Sequence, residues 1–197
     1  FKSPISVAIE TKNCQQFIGC FIKSIRNQQS PEWLKKRLEA IGQKSISTLV
    51  DITNYFTFDL GRPLHVYDER KLGRNITVRA AKNGETIKAL NGKDYTLDGG
   101  ITIIADSSNA LAIGGIIGGA ESGCTEATTD IFLEVALFDT TSVALAGRNL
   151  QIDSDARYRF ERGVDVAFVE EAAKRAVDMI IKLCGGQASE LVFAGKT

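Results

Sequence analysis

The stretch Ser47–Asp68, STLVDITNYFTFDLGRPLHVYD, decides how this chain is read. Its composition favours strand, yet Leu49, Ile52, Phe56 and Leu60 fall on a helical stripe, and Gly61 stands where a helix would stop. The spacing predicts a helix over 47–60, a turn through Gly61, Arg62 and Pro63, and then His65. Thr53 and Asn54 would sit on the helix flank, near the start of that loop. His65 is the only histidine in the chain. A lone imidazole cannot build a multi-histidine metal site or a relay, so any partners must be carboxylates, hydroxyls, amides or backbone groups.

Working outward, Ser30 is placed to cap a preceding helix that begins at Pro31 and stops at Gly42, with Leu34, Leu38 and Ile41 on one face. ISVAIE (5–10) and QFIGCFIKSI (16–25) read as strands, as do ITVRAA (76–81), ETIKAL (85–90), DYTL (94–97) and ITIIAD (101–106). Asn91-Gly92 signals a hairpin. LAIGGIIGGAESG (111–123) runs from strand into a glycine-rich turn, and IFLEVALF (131–138) is a further strand. Asp139 or Thr140 can cap a helix towards Arg148, and a short helix is expected around 156–162. Asp165 is placed to cap a long helix to about Cys184, with Ala172, Ala173, Val177, Ile180, Ile181 and Cys184 as its apolar stripe and Gly185-Gly186 as its end. ELVFA (190–194) reads as a returning strand. One α+β domain over 1–197 is the simplest organisation.

The chain has 197 residues, 44% apolar and 24% charged, with a formal net charge of zero. That is enough chain for a core without staples, and the missing basic excess argues against tight, unaided binding to nucleic acid. The four cysteines, at 14, 20, 124 and 184, form no CxxC pair and are expected to be reduced and partly buried; zinc is not expected. Apolar runs are too short and glycine-broken to span a membrane. The N-terminus is not a signal peptide. The absent initiator methionine and the abrupt end at Lys196-Thr197 read as a segment excised from something longer.

Three further features could converge with His65. Glu134 lies inside the apolar strand, where alternation puts it on one face with Phe132 and Ala136 and opposite Leu133 and Val135. A buried carboxylate there needs a donor. Gly118 and Gly119 permit positive φ and close approach of a ligand or backbone; neither the dinucleotide fingerprint nor a Walker loop is present. RNLQIDSDARYRFERGVD (148–165) clusters Arg148, Arg157, Arg159 and Arg162 with acidic partners, and its small Ser154 and Ala156 could line a pocket.

The segments SISTLVDITNYFTFDLGRPLHVYD, AIGGIIGGAES, IFLEVALFD and DARYRFERGVD, in this order and at this spacing, resemble the B3/B4 domain of the bacterial phenylalanyl-tRNA synthetase β subunit. The resemblance implies a three-layer β/β/α architecture containing a β-sandwich of unusual topology with flanking helices. It also implies a site that hydrolyses tyrosine wrongly attached to the phenylalanine tRNA. Site positions of that family fall on Thr53, Asn54, His65, Gly118, Glu134, Ser154 and Ala156. In this reading Glu134 takes the tyrosine phenol and Ala156 keeps the ring pocket open. Asn54, Thr53 and Ser154 orient the amino acid and terminal adenosine. The backbone of Gly118 and Gly119 lies close to the ester, and His65 positions ribose or water, or acts as a base. Arg148, Arg157 and Arg159 are the candidates for tRNA contact.

The resemblance further implies an α subunit as partner, a cytoplasmic (αβ)₂ parent, and ATP and magnesium for the parent's aminoacylation only, with no cofactor in this segment. The family usually carries threonine at the Ser154 position and often histidine at the Tyr158 position. Those departures motivate an alternative reading, a structural and tRNA-docking module whose editing has decayed.

Overall fold

A computed structural model of the chain describes residues 1–195; Lys196 and Thr197 lie outside the described residues. The chain is α+β, with its strands gathered into two five-stranded sheets and a small hairpin. The first sheet contains β1 (Ser6–Ile9), β4 (Asn75–Ala80), β7 (Thr102–Ala105), β8 (Ala110–Ile113) and β9 (Ile117–Gly118), in that order. The second runs β11 (Gln187–Ala188), β2 (Cys14–Lys23), β10 (Ile131–Phe138) and β3 (His65–Asp68), with β12 (Val192–Gly195) also paired to β2. β5 (Thr86–Lys88) and β6 (Asp94–Thr96) form the hairpin, with Gly92 at φ +79° in its turn.

The central strand is β10, whose eight residues are all buried. It pairs antiparallel with β2 on one side and β3 on the other. Its alternation sorts two cores. Phe132, Ala136 and Phe138 join Ile76, Val78, Ile103 and Ile113 of the first sheet in one core. Ile131, Leu133, Val135 and Leu137 join the helices in the other. Those helices are α1 (Glu32–Ala40), α2 (Thr48–Asp59) and α5 (Val169–Cys184), whereas Val143 and Ala146 of α3 (Thr140–Leu150) and Phe160 of α4 (Asp155–Phe160) pack into the first core.

The helix expected over 47–60 is α2: Leu49, Ile52 and Phe56 are buried and Gly61 follows at φ +61°. Asp139 caps α3 by accepting from the Ser142 N–H at 2.7 Å. Three expectations need correction. Ser30 does not cap α1; the position is taken by Pro31, because the Ser30 hydroxyl donates to buried Asp51 at 2.6 Å and ties α1 to α2. Ile41 lies beyond the last turn of α1 and is 54% exposed, off the Leu34–Leu38 face. Asp165 caps only a turn, through the Ala167 N–H, and α5 begins at Val169. All four cysteines are free thiols, and among the described residues no helix is long and apolar enough to cross a membrane.

Candidate functional site

The site is built by the register of β10 on β3, which pairs Glu134 with His65 and Phe132 with Tyr67. Val66 faces the helical core and Tyr67 the inter-sheet core, so alternation turns His65 inward beside Tyr67. The imidazole meets the Tyr67 ring edge-on, with centroids 4.4 Å apart and planes at 80°. Glu134 is 7% exposed and Tyr67 fully buried. The Tyr67 phenol donates to Glu134 Oε2, which answers the need of a buried phenol for a partner. Among the described residues, nothing donates to Oε1 of Glu134, which is not sealed from the pocket.

Electrostatics here follow from burial. Desolvation pushes the Glu134 carboxyl up to about 7, against the Tyr67 hydrogen bond and the charge of Arg62. It lowers the His65 imidazole to about 4, which leaves the ring neutral at pH 7. The Tyr67 phenol is raised well above its ordinary value by burial and then by the adjacent carboxylate. Arg62, in the turn before β3, is only 1% exposed. Its Nη2 donates to the Ala136 carbonyl, while Nε and Nη1 have no partner among the described residues. Desolvation lowers this guanidinium to about 10, with Glu134 and Asp165 pulling the other way.

A pocket of about 200 Å³ opens at this group, lined among others by His65, Leu90, Gly118, Glu134, Ala156 and Phe160. The volume lies below the roughly 300–1,000 Å³ of pockets for drug-sized ligands and suits one side chain better than a nucleotide. Gly118 lies directly against the imidazole: a Cβ there would lie 2.3 Å from His65 Cε1 and 2.7 Å from Nε2. The glycine is therefore needed for space. Of the two freedoms read from the sequence, Gly118 and Gly119 use close approach and not positive φ; the left-handed residue of the turn is Gly115, at φ +71°.

Of the residues singled out in the sequence, His65, Gly118, Glu134 and Ala156 come together. The others are placed differently. Gly119 faces a separate groove on the far side of the strand, and its N–H is spent on the Leu111 carbonyl at 2.8 Å. Ser154 caps α4, accepting from the Arg157 N–H, and its hydroxyl donates to the Ile116 carbonyl at 2.6 Å. Thr53 donates to the Val50 carbonyl at 2.8 Å within α2. Thr53 and half-buried Asn54 both stand on α2, outside the pocket lining.

Arg157 folds back onto Glu161 and the Ile152 carbonyl, at 2.9 and 2.7 Å. Arg159 holds the Asp155 carbonyl at 3.0 Å and lies over the Phe58 ring at 4.9 Å. Of the three candidate arginines, only Arg148 is exposed with no ion pair among the described residues; it borders an open groove with Tyr158 and Arg162. Sequence reasoning missed Arg62 and Tyr67. The alternation in His65-Val66-Tyr67 was a usable signal for Tyr67, whereas nothing local marks Arg62 as buried.

An apolar slot with one ionisable acid and one neutral imidazole in its wall is a site for a small ligand with a single polar end. The chain belongs to the B3/4 domain family, whose model matches residues 13–185. It is 54% identical over 200 residues to the phenylalanine–tRNA ligase beta subunit of Paramagnetospirillum magneticum, and 53% identical over 201 residues to that of Rhodospirillum rubrum. Each match takes in 99% of this chain and 25% of the relative, so the chain spans about a quarter of the length of these curated relatives. Its fold is shared with a solved N-terminal fragment of the phenylalanyl-tRNA synthetase beta-subunit from Pyrococcus horikoshii. That likeness has a TM-score of 0.57 at 16% identity, over 95% of this chain and 51% of the other.

Proposed function

We propose that this domain is the editing segment of a phenylalanine–tRNA ligase β subunit, and that it hydrolyses the ester of tyrosine mischarged onto tRNA(Phe). The observation that carries the reading is Glu134: a desolvated acid with one oxygen open to an apolar pocket of side-chain size. A synthetic site shaped for phenylalanine cannot strongly reject a ligand that merely adds a hydroxyl. A pocket whose wall holds an acceptor discriminates the other way. Because Tyr67 already donates to Oε2, a phenylalanine ligand does not leave the acid wholly unpaired, as expected from sequence alone. The difference is one hydrogen bond to a charged group, about 1.5–3 kcal/mol, or roughly one to two decades in rate or affinity.

In this reading a water oxygen attacks the ester carbonyl, the bond to the ribose 3′-oxygen breaks, and that oxygen leaves with a proton. His65 positions water or ribose; an imidazole lowered to about 4 is a weak base. Gly118 gives the imidazole its room, Ala156 leaves space for the ring, and Asn54 is kept for the terminal adenosine. The sheet shared between two cores supports a three-layer β/β/α stack with a sandwich of two sheets. The parent is taken to be a cytoplasmic (αβ)₂ enzyme that uses ATP and magnesium for aminoacylation on its α subunit; no step here runs through either. Arg148 is retained as a tRNA contact.

The internal commitments of Ser154 and the Gly119 N–H favour a second reading, a tRNA-docking module without hydrolysis. Deacylation of Tyr-tRNA(Phe) by the full-length enzyme separates the two, since the docking module would not exceed the buffer rate. On the editing reading, Glu134→Gln loses the preference for Tyr-tRNA over Phe-tRNA by about 10- to 100-fold, and His65→Ala slows both. An undiminished preference in Glu134→Gln would end the proposal.

A further inference from the structure

Glu134 is approached by two phenols in this account, one from the ligand and one from the protein, and the second has no part in the reaction described so far. We propose that Tyr67 is a positioning residue for tyrosine recognition: its phenol occupies Oε2 of Glu134 and so presents Oε1 to the phenol of the ligand. The inference rests on the editing reading of Glu134.

The geometry supports it on three counts. Tyr67 is immobilised, since its ring is fully buried in the inter-sheet core, its strand is in register with β10, and His65 braces it edge-on at 4.4 Å. A carboxylate has two oxygens, each able to accept, and Tyr67 takes one of them. Among the described residues, the Tyr67 phenol is the only donor to the Glu134 carboxylate, so no second hydrogen bond fixes its orientation. A fixed donor on one oxygen decides where the other points, at the precision that a recognition group needs.

The same bond favours the ionised acid against the burial that disfavours it. The titratable and charged groups facing Glu134 are His65 and Tyr67 from β3, Arg62 from the turn ahead of it, and Cys14 from β2. Arg62 and Tyr67 favour ionisation. His65 is neutral, and the Cys14 thiol is pushed up to about 12 and stays uncharged. Tyr67→Phe therefore removes one oxygen, keeps the ring packing, and leaves a less readily ionised and less well oriented acid.

The test uses the full-length enzyme and measures kcat/KM for deacylation of Tyr-tRNA(Phe) and Phe-tRNA(Phe) between pH 6 and 9. Wild type is expected to gain tyrosine preference as Glu134 ionises, with a midpoint at about 7. Tyr67→Phe should lose about 10-fold of that preference at neutral pH and move the midpoint upward by about one pH unit. If Tyr67→Phe matches wild type at every pH while Glu134→Gln loses the preference, the role of Tyr67 is refuted and the editing reading stands. If Tyr67→Phe slows both substrates equally with an unmoved midpoint, Tyr67 is structural only and the proposal fails. If Glu134→Gln retains the preference, both readings fall.

Discussion

The two faces of β10 differ in almost everything except burial. Towards the helices, Ile131, Leu133, Val135 and Leu137 meet α1, α2 and α5 in a dry apolar core. Towards the other sheet, Phe132, Ala136 and Phe138 share their face with Glu134, and Tyr67, Arg62 and His65 crowd around that acid. A strand alternates its side chains with period two, so a single eight-residue segment serves two purposes with no loop to separate them. Close packing on the dry side holds the strand in place, and that rigidity makes it possible to keep ionisable groups on the other side away from water.

The largest expected effect tests whether the faces are independent. Leu133 is 1% exposed and wholly on the helical side. Leu133→Ala should cost about 2–5 kcal/mol of stability, read by denaturant unfolding. Once corrected for folded fraction, it should leave the preference between Tyr-tRNA and Phe-tRNA as in wild type. A change in preference comparable to that of Glu134→Gln would show that the two faces are coupled.

That division was half legible in the sequence. The run IFLEVALF, with one acid at an even step, announced both the strand and its polar face, and Leu49, Ile52 and Phe56 were enough to find α2 in a segment of strand-like composition. What could not be read were partners far along the chain. Arg62 sits in a Gly-Arg-Pro turn that looks like surface, yet it is buried against the Ala136 carbonyl, 74 residues away. Ser30 looked like a helix cap because nothing nearby indicates that Asp51, 21 residues on, would claim its hydroxyl. Local propensity finds elements; the destination of a buried polar group depends on tertiary contacts that periodicity does not encode.

A second expected effect, of about 3 kcal/mol in each variant, is hidden in the wild type. The Glu134 carboxyl is raised from 4.5 to about 7 in the folded state. Between those values the native protein holds a proton that the unfolded chain has lost, so stability falls as pH rises from 4.5 to 7 and is level above. His65 is lowered from 6.5 to about 4. Between 4 and 6.5 the unfolded chain holds the extra proton, so stability rises with pH across that window. The two slopes oppose and largely cancel between pH 4.5 and 6.5. Glu134→Gln should unmask the rising limb and His65→Gln the falling one, each worth about 3 kcal/mol, visible as Tm against pH. Parallel, flat profiles in both variants would mean that the polar face is wetter than its geometry suggests.

The smallest effect on stability concerns the close approach of β9 to β3 at Gly118 and His65. Gly118 is buried without positive φ, so alanine meets no backbone penalty there; its cost is steric, chiefly the approach to His65 Cε1 and Nε2 at 2.3 and 2.7 Å, with Leu90 Cδ1 next at 3.0 Å. Relief must come from the imidazole, because Gly118 is held through its carbonyl by the Leu90 N–H at 2.9 Å. Gly118→Ala should therefore cost about 1–3 kcal/mol, similar to or less than Leu133→Ala. Its effect on deacylation should nevertheless approach that of His65→Ala, since the ring is pushed from the pocket wall. The pH profile of Tm distinguishes displacement from general loosening. A His65 released to water recovers its ordinary titration, so the falling limb set by Glu134 should emerge in Gly118→Ala as it does in His65→Gln. If the variant is inactive while its profile stays as flat as wild type, the imidazole has not moved, and the added methyl blocks the ligand instead.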